Sequence, residues 1–405
     1  MRRTPYILVL GMAILLGGSA LLWQLSGGAL GSRVALASPD GGVTADAIVF
    51  GQTAALGGPA AALGLGMKEG LDAAFEEANK AGGVKGHRLS LISLDDGYEP
   101  ARAAAAAKTL IGEDHVFALV GSVGTPTSIA VQPIASEAGV PFVGAFTGAE
   151  FLREPYNPGV INLRASYFEE TAAMVYHLTK DLAISRIAIF YQDDSFGQAG
   201  LAGVTRALEG HQMTLVAEGK YERNTVAVEP ALAAIRKADP EAVIMIGAYQ
   251  PCAEFIKLAR AANFSPVFVN ISFVGSDALA QALGPAGAGV VVTQVVPFPK
   301  NTKIPVVEQY QSALERSSPE AFPGFVSLEG YLVGRLLIAA IGKIPGDITR
   351  TALVDAIKST GTFDLGGFRL RYGPDNNRGS DDVFLTQIQP NGSFQPVERL
   401  SRAGG

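Results

Sequence analysis

Two loops rich in hydroxyl and small side chains suggest where this chain could bind a ligand. The first follows an apolar strand predicted over residues 117–120 and ends in Thr125, where a helix is predicted to begin near Pro126. The second, residues 145–147, follows a strand predicted over residues 140–143. Hydroxyl donors and the free N–H groups of a helix start favour anionic groups. Neither loop carries the residue types that covalent or metal chemistry requires, so the sequence predicts reversible binding of a small molecule.

Other residues that could support catalysis or hold a metal do not form a recognisable site. The adjacent carboxylates of Asp193 and Asp194 would suit acid–base chemistry or a cation; a solvated loop with a helix cap at Ser195 is the alternative. The four histidines lie far apart, and Cys252 is the only cysteine, which excludes an internal disulfide and multi-cysteine metal sites. The sequence therefore predicts no metal ion and no cofactor.

The chain lacks the motifs of two enzyme classes that share an α/β fold. A dinucleotide-dependent oxidoreductase would carry G-x-G-x-x-G directly after its first strand, but residues 51–56 read Gly-Gln-Thr-Ala-Ala-Leu. The G-x-S-x-G elbow of serine hydrolases is also absent from the sequence. The net charge of −6 argues against nucleic acid or an anionic membrane surface as the main partner. We therefore predict a protein that is not an enzyme.

Residues 1–37 have the three-part layout of an export signal. Arg2 and Arg3 form a basic start, residues 6–23 are apolar, and the sequence Ala-Leu-Ala just before the end supplies an A-x-A cleavage pattern. We predict cleavage after Ala37 and a periplasmic location. An apolar run of this length could also be kept as a membrane anchor, and that alternative stays open.

A repeated strand-then-helix rhythm predicts the fold class. It begins with an apolar strand over residues 47–51 and a helix over residues 67–80, and it restarts after Leu163. This order specifies parallel sheets with helices on both faces. The 405 residues are enough for two sizeable cores. We therefore predict an α/β protein with two doubly wound parallel-sheet lobes.

The late elements indicate how the chain is divided between the lobes. The first lobe has too few elements to cover both faces of its sheet, so helices predicted over residues 305–314 and 325–341 must return to it. We therefore expect a three-segment hinge, with crossings near Arg164, Pro297 and Asp382. The predicted N-terminal lobe comprises residues 46–164 and 297–382, and the predicted C-terminal lobe comprises residues 165–296 and 383–403.

Several short motifs, taken in order along the chain, resemble one known family. Residues 79–86, Asn-Lys-Ala-Gly-Gly-Val-Lys-Gly, match a helix-end signature of that family almost residue for residue. Residues 133–135 and 139–141 flank the third helix, and residues 193–197 occupy the place of a D-x-x-Y-G loop. With the loop at residues 56–59, these motifs make the chain resemble the type I periplasmic substrate-binding proteins of ABC importers, typified by the branched-chain amino acid receptors. The resemblance covers nearly all of the chain after the leader.

The resemblance implies a ligand held in a cleft between two lobes that close by hinge motion. Thr125 stands where the family uses a serine to bind the ligand carboxylate, with a plain helix cap as the alternative. Ala145 matches a position whose backbone carbonyl meets the ligand amine, and Thr147 matches a side-chain donor. Phe146 between them is bulkier than the family's small residue and could narrow the pocket.

The second lobe departs from the family at the positive end of the ligand. Tyr249 matches an aromatic residue that closes over the ligand, with plain packing as the alternative, and Phe196 replaces a common tyrosine. Where the amino acid receptors place a glutamate, this chain has Ser272. A buried ammonium without a carboxylate partner is costly. Either Glu169 or Glu170 supplies that charge, or the ligand has no amine. The alternative for these two residues is a purely structural role, as first-turn acids that stabilise a helix N-terminus.

The resemblance and the missing enzyme motifs together predict a function. We expect an exported, monomeric receptor that binds an amino acid or a related small carboxylate or amide. It would deliver this ligand to the membrane permease of an ABC importer. A receptor that feeds a sensor or regulatory partner through the same cleft is the alternative, and a dinucleotide-dependent oxidoreductase is a weaker one. The sequence leaves open which ligand is bound and whether it carries an amine.

Overall fold

The computed structural model describes residues 40–401, so the predicted leader lies outside the described residues. The strands of this part are β1 (Ala47–Ala54), β2 (Arg88–Asp95), β3 (Leu119–Val120), β4 (Phe142–Val143), β5 (Val160–Ile161), β6 (Ile187–Gln192), β7 (Ala217–Tyr221), β8 (Ala242–Ile246), β9 (Val267–Asn270), β10 (Val291–Gln294), β11 (Thr362–Asp364), β12 (Arg369–Gly373), β13 (Asn376–Gly379), β14 (Phe384–Ile388) and β15 (Phe394–Val397). Its α-helices are α1 (Ala61–Lys80), α2 (Pro100–Gly112), α3 (Thr125–Glu137), α4 (Tyr167–Lys180), α5 (Ser195–Glu209), α6 (Glu229–Lys237), α7 (Tyr249–Ala261), α8 (Ser276–Leu283), α9 (Pro305–Ser317), α10 (Phe325–Gly342) and α11 (Arg350–Thr360).

The first lobe is built on five parallel strands in the order β2-β1-β3-β4-β5. Side chains of β1 such as Ile48 and Phe50 share one hydrophobic core with Leu71 of α1 and Leu336 of α10. The strand order reverses direction at β1, between β2 and β3. In open parallel sheets this reversal opens a crevice at the carboxyl ends of the strands, where ligands bind.

The second lobe is built on seven strands in the order β15-β14-β10-β9-β8-β6-β7. Five of them are parallel, while β14 pairs antiparallel with β10 and β15 pairs antiparallel with β14. Strands β6 and β8 are buried along their whole length, which is the pattern of a central parallel strand covered by helices on both faces. The strand order again reverses, at β6. Each lobe therefore presents a crevice at the carboxyl edge of its sheet.

Helix α10 returns to the first lobe and packs closely against α1. Among the described residues it is the one helix long and apolar enough to cross a membrane, but 78% of it is buried inside the fold, as in an interior helix. A Cβ added to Gly70 of α1 would lie only 1.9 Å from the carbonyl oxygen of Ser327. A Cβ added to Gly330 of α10 would lie 2.3 Å from the carbonyl oxygen of Met67. Glycine at both positions therefore lets the two helix backbones touch.

The predicted fold class, two doubly wound α/β lobes, is confirmed. Strand β7 begins at Ala217, where pairing with β6 starts with Ala188 opposite Ala217. The separate antiparallel sheet of β11, β12 and β13 was not predicted from the sequence. The chain leaves the first sheet after β5, leaves the second after β10 and re-enters it at β14. We propose the lobe boundaries given above, with Arg164, Pro297 and Asp382 as the crossing points.

Candidate ligand-binding site

Three buried hydroxyl groups meet at the carboxyl edge of the first sheet. Thr125 is the first residue of α3, and its Oγ1 lies 2.7 Å from Oγ1 of Thr147. The Thr147 hydroxyl also lies within 3.3 Å of the Tyr167 hydroxyl, to which it donates. The N-cap of α3 is Gly124, and no side chain caps the helix. The cap alternative for Thr125 is therefore wrong, and its hydroxyl faces the other two.

Gly124 also explains how an aromatic ring reaches the start of α3. Its φ of +100° lies in the region that favours glycine, and a Cβ there would lie 2.2 Å from the ring of Tyr98. Tyr98 itself is buried and follows β2, at the same edge of the sheet. The backbone at the end of the first loop therefore leaves room for a ring beside the hydroxyl groups.

Phe273 brings the two lobes together through a cluster of aromatic rings. Its ring centroid lies 5.3 Å from that of Phe146 and 6.0 Å from that of Tyr98, both contributed by the first lobe. It lies 4.5 Å from the centroid of Phe196 in the second lobe, which in turn lies 5.5 Å from that of Tyr167. All five side chains are buried, and such tilted ring contacts are favourable beyond the apolar area that they bury.

A buried cluster of charged groups lies beside these rings. Nη2 of Arg164 donates to the hydroxyl of Ser272, and Nε of Arg164 lies 3.5 Å from a carboxylate oxygen of Glu329. Ser272 in turn donates to the Glu170 carboxylate through its backbone N–H and its hydroxyl, both at 2.9 Å. The hydroxyl of Thr293 donates to the same carboxylate at 2.5 Å. Ser272 therefore connects Arg164, which follows β5, with Glu170 of α4.

The two carboxyl groups of this cluster have raised pKa values. Burial raises the pKa of Glu170, while Arg164 and the hydrogen bonds from Thr293 and Ser272 act in the opposite direction. Burial also raises the pKa of Glu329 to about 7, against the lowering effect of Arg164. An ordinary glutamate has a pKa of about 4.3, so Glu329 holds its proton much closer to neutral pH.

Glu169 has a structural role at the start of α4. Its carboxylate accepts a 2.7 Å hydrogen bond from the backbone N–H of Ser166, and the Ser166 hydroxyl accepts from the Glu169 N–H. This reciprocal pair is a capping box at the start of α4. The Glu169 side chain is 33% exposed and lies 4.0 Å from Arg378. Glu170 is the residue that contacts Ser272, so we replace Glu169 by Glu170 in the proposed site.

Ala145 follows strand β4 and Tyr249 follows strand β8, so both residues lie at the carboxyl ends of parallel strands. The carbonyl oxygen of Ala145, after β4, accepts a 2.8 Å hydrogen bond from the N–H of Thr147. Tyr249 is the first residue of α7 and is half-buried, in contact with both large hydrophobic clusters. The roles of these two residues toward a ligand stay predictions.

The adjacent carboxylates at the start of α5 have separate structural roles. Asp194 accepts a 2.9 Å hydrogen bond from the backbone N–H of Phe196 and is the N-cap, one residue before the predicted cap at Ser195. Asp193 forms a partly exposed ion pair with Lys220 at 2.9 Å. Within residues 40–401, no group of three or more His, Cys, Asp or Glu side chains could hold a metal ion.

A group of polar residues at the edge of the cleft also joins the lobes, and we call it the lobe clasp: Gly97, Glu99, Asp194, Arg223 and Asn224. The guanidinium of Arg223 contacts Glu99 of the first lobe at 2.8 Å and Asp194 of the second at 2.9 Å. The amide of Asn224 donates to the Gly97 carbonyl at 3.1 Å and to Glu99 at 2.7 Å. These contacts require the lobes to be close, so they favour the closed arrangement.

We expect Arg223→Ala to open the lobes in the absence of ligand. Loss of a partly exposed ion pair costs about 1 kcal/mol, which would shift the ratio of closed to open molecules about fivefold. Small-angle X-ray scattering should show a larger radius of gyration. The matched control is Lys220→Ala, because its ion pair with Asp193 lies within one lobe. An equal change in both variants would mean that the clasp does not hold the lobes together.

Several residues that the structure brings into the cleft were not predicted from the sequence. Arg164 was predicted only as a crossing point, and Tyr98, Tyr167, Phe273 and Glu329 were not predicted as site residues. Tyr98 follows β2 and Phe273 follows β9. Residues that follow parallel strands lie at the ligand-binding edge of the sheet, so the position of these two in the sequence also indicates the cleft. Glu329 is an acid near the start of a mostly apolar helix, and an acid at such a position indicates an unusual environment.

Comparison with known proteins gives consistent matches. A family model described as periplasmic binding protein matches residues 47–393. A relative named Leu/Ile/Val-binding protein homolog 7, from Brucella abortus (strain 2308), is 26% identical over 381 residues, covering 89% of this chain and 92% of the relative.

Solved structures with similar folds include one with a higher sequence identity to this chain than the Brucella relative. The crystal structure of a possible leucine/isoleucine/valine-binding protein from Rhodopirellula baltica SH 1 is 44% identical and superposes with a TM-score of 0.84, covering 90% of this chain and all (100%) of the other. A substrate-binding periplasmic protein from Ralstonia solanacearum is 27% identical, with a TM-score of 0.82 over 86% of this chain and 100% of that one. Each match spans both lobes of the fold described above.

Proposed function

The chain belongs to the periplasmic binding protein family, in the group of the branched-chain amino acid receptors, and we propose that it is a solute-binding receptor. Its ligand is an amino acid or a related small carboxylate or amide, bound between the two lobes. A monomeric receptor outside the cytoplasm, released from its leader after Ala37, delivers this ligand to the membrane permease of an ABC importer. Ligand favours the closed form, which is the form that the permease recognises.

The observation that carries this proposal is the meeting of the two lobes at the carboxyl ends of both sheets. The first lobe contributes hydroxyl groups of Thr125 and Thr147, and the second contributes Phe196 and Ser272. Donors, an aromatic surface and a position between two lobes are what reversible binding of a small organic molecule requires.

A thermal-shift screen of the protein tests the receptor function. The panel should contain amino acids, aromatic acids, dicarboxylates and short amides. A ligand present at 100 times its Kd stabilises the folded protein by about 2.7 kcal/mol, which is a clear shift in Tm. Turnover of a compound that leaves the Tm unchanged would contradict a binding role. Delivery is tested separately by ligand uptake into cells that lack the receptor gene and are supplied with the protein.

We expect Thr125→Val to weaken the binding of a carboxylate ligand roughly 10- to 100-fold, because a hydrogen bond to a charged group contributes about 1.5–3 kcal/mol. Valine has nearly the same shape, so the fold should be kept. Isothermal titration calorimetry with the best ligand of the screen measures the change.

The matched control is Thr127→Val, in the same helix. The Thr127 hydroxyl donates to the backbone carbonyls of Val123 and Gly124, so its loss should lower stability and leave affinity unchanged. Unchanged affinity in Thr125→Val itself would remove Thr125 from the ligand site.

A further inference from the structure

Arg164 places a buried positive charge in the cleft between the lobes. Its side chain is 1% exposed, and the centre of its guanidinium lies 4.5 Å from the centroid of the Phe146 ring. Nη2 donates to the hydroxyl of Ser272 in the second lobe. Arg164 therefore lies against residues that follow β4 of the first sheet and β9 of the second, where both crevices open.

The guanidinium is only partly satisfied by its protein neighbours. Among the described residues, Nη1 has no hydrogen-bond partner, and Nε has none of hydrogen-bond geometry; its approach to Glu329 is an ion pair at 3.5 Å. Arginine has five N–H donors and is charged at every physiological pH. A buried donor without a partner is costly, and an oxygen with negative charge is the partner that best suits a guanidinium.

The neighbouring acids favour a ligand ammonium group less than a free carboxylate would. Both carboxylate oxygens of Glu170 accept hydrogen bonds from Ser272 or Thr293. Burial raises the pKa of Glu329 to about 7, so part of its population is uncharged near neutral pH. A second buried arginine, Arg153, donates to the carbonyl oxygen of Arg164 and adds another positive charge nearby.

The guanidinium of Arg164 is therefore a charged group with unsatisfied donors at this end of the cleft, and its charge disfavours a ligand ammonium group. Resting on the receptor function proposed above, we infer that Arg164 binds an anionic oxygen group of the ligand, and that the ligand is an organic acid without an ammonium group. The rings of Phe146, Phe273 and Tyr98 form the apolar wall for the body of that acid. Ser272, held between Arg164 and Glu170, positions the guanidinium.

Matched pairs of compounds test the ligand class. Isothermal titration calorimetry compares 4-methyl-2-oxopentanoate with leucine, phenylpyruvate with phenylalanine, and glutarate with glutamate. In the pair that fits the cleft, we expect the acid without an amine to bind at least ~10-fold more tightly, because an ammonium group would lie beside a buried guanidinium. Tighter binding of glutarate than of both oxo acids would show that two carboxylates are recognised.

The outcomes separate this inference from the receptor function. Tighter binding of the amino acid in every pair that binds would overturn the inference and leave the receptor function intact. If a neutral amide were the only ligand found in the thermal-shift screen, the inference would also be overturned and the receptor function would remain. If neither these pairs nor the wider screen yields a ligand, both proposals are wrong.

Variants of Arg164 test its role in binding the acid. Arg164→Gln combined with Glu329→Gln removes one positive charge and its acidic neighbour together, which protects the fold. This double variant should lose at least ~30-fold in affinity for the acid, whereas Arg164→Lys should keep more of it because the charge remains. If Arg164 only packed against its neighbours, the lysine and glutamine variants would lose similar amounts of affinity. The control is Arg206→Gln, whose guanidinium lies 5.0 Å from the Phe168 ring outside the cleft and should not affect affinity.

Circular dichroism and the Tm establish that each variant is folded before affinity is compared. If the folded double variant binds the acid as tightly as the unmodified protein, Arg164 does not contact the ligand. If Arg164→Gln/Glu329→Gln does not fold, Arg164→Lys decides: a loss below ~2-fold together with no preference for acids over amines in the compound pairs would overturn the inference.

Discussion

Glu170→Ala should lower the free energy of unfolding by about 3–5 kcal/mol, because it leaves the buried donors of Ser272 and Thr293 unsatisfied and removes a negative charge that interacts with buried Arg164. The Glu170 carboxylate accepts three hydrogen bonds, two from Ser272 and one from Thr293. Through Ser272 it also holds the buried guanidinium of Arg164 in place. Urea denaturation followed by circular dichroism measures the loss, provided that the m-value stays the same.

Glu169→Ala is the matched control, since it removes the same side chain one residue earlier. Glu169 belongs to the capping box of α4 and is partly exposed, so its loss should cost only about 1 kcal/mol. Adding Arg164→Met to Glu170→Ala should recover part of the stability, because it also removes the buried positive charge that has lost part of its compensation. Equal losses in the two glutamate variants would show that the Glu170 carboxylate does not compensate Arg164.

The fold could be predicted from the sequence because its main signals are local. Apolar strands followed by amphipathic helices specify parallel sheets, and the alternation occurs twice along the chain. The elements that were missed carry weaker signals: β11 has only one buried residue in three, and β5 is two residues long. Short strands of this kind form because a neighbouring strand is present, so their own sequence gives little indication.

The cleft shows where reasoning from the sequence alone ends. Thr125, Thr147 and Ser272 could be identified because each follows a strand of a parallel sheet, and the structure brings them to the two facing edges. Choosing between Glu169 and Glu170 depends on a rotation of about 100° per residue around the helix. The S-x-x-E spacing of Ser166 and Glu169 is a capping-box signature. It indicates that Glu169 caps the helix, which leaves Glu170 as the acid that can face the cleft.

The charge of the cleft could not be predicted, because it depends on residues distant in sequence. Arg164 contacts Ser272, which is 108 positions later, and pairs with Glu329 on a helix that returns from the other lobe. No periodic pattern relates such positions. The loss of a glutamate at Ser272 suggested a ligand without an amine, and the structure adds a guanidinium at that place. The charge at this place therefore depends on three chain segments that only the tertiary fold brings together.

Gly70→Ala should destabilise the first lobe by roughly 2–3 kcal/mol, because an added methyl group in a packed core forces backbone shifts. The new Cβ would lie 1.9 Å from the Ser327 carbonyl oxygen and 2.5 Å from the backbone nitrogen of Tyr331, neither of which can move away as a flexible side chain could. Helices α1 and α10 would have to separate, which loosens the core that they share with β1. Urea denaturation measures the change in the free energy of unfolding.

Gly342→Ala provides the control for helix propensity, since Gly342 ends α10 and a Cβ there would meet no atom within 4 Å. Alanine is preferred over glycine in helices by up to about 1 kcal/mol, so this variant should be neutral or slightly more stable. The two substitutions are chemically identical and differ only in what surrounds the new methyl group. If Gly70→Ala were as stable as Gly342→Ala, the close approach of α1 and α10 would not be required, and the helix that returns from the second crossing would be held by side-chain packing alone.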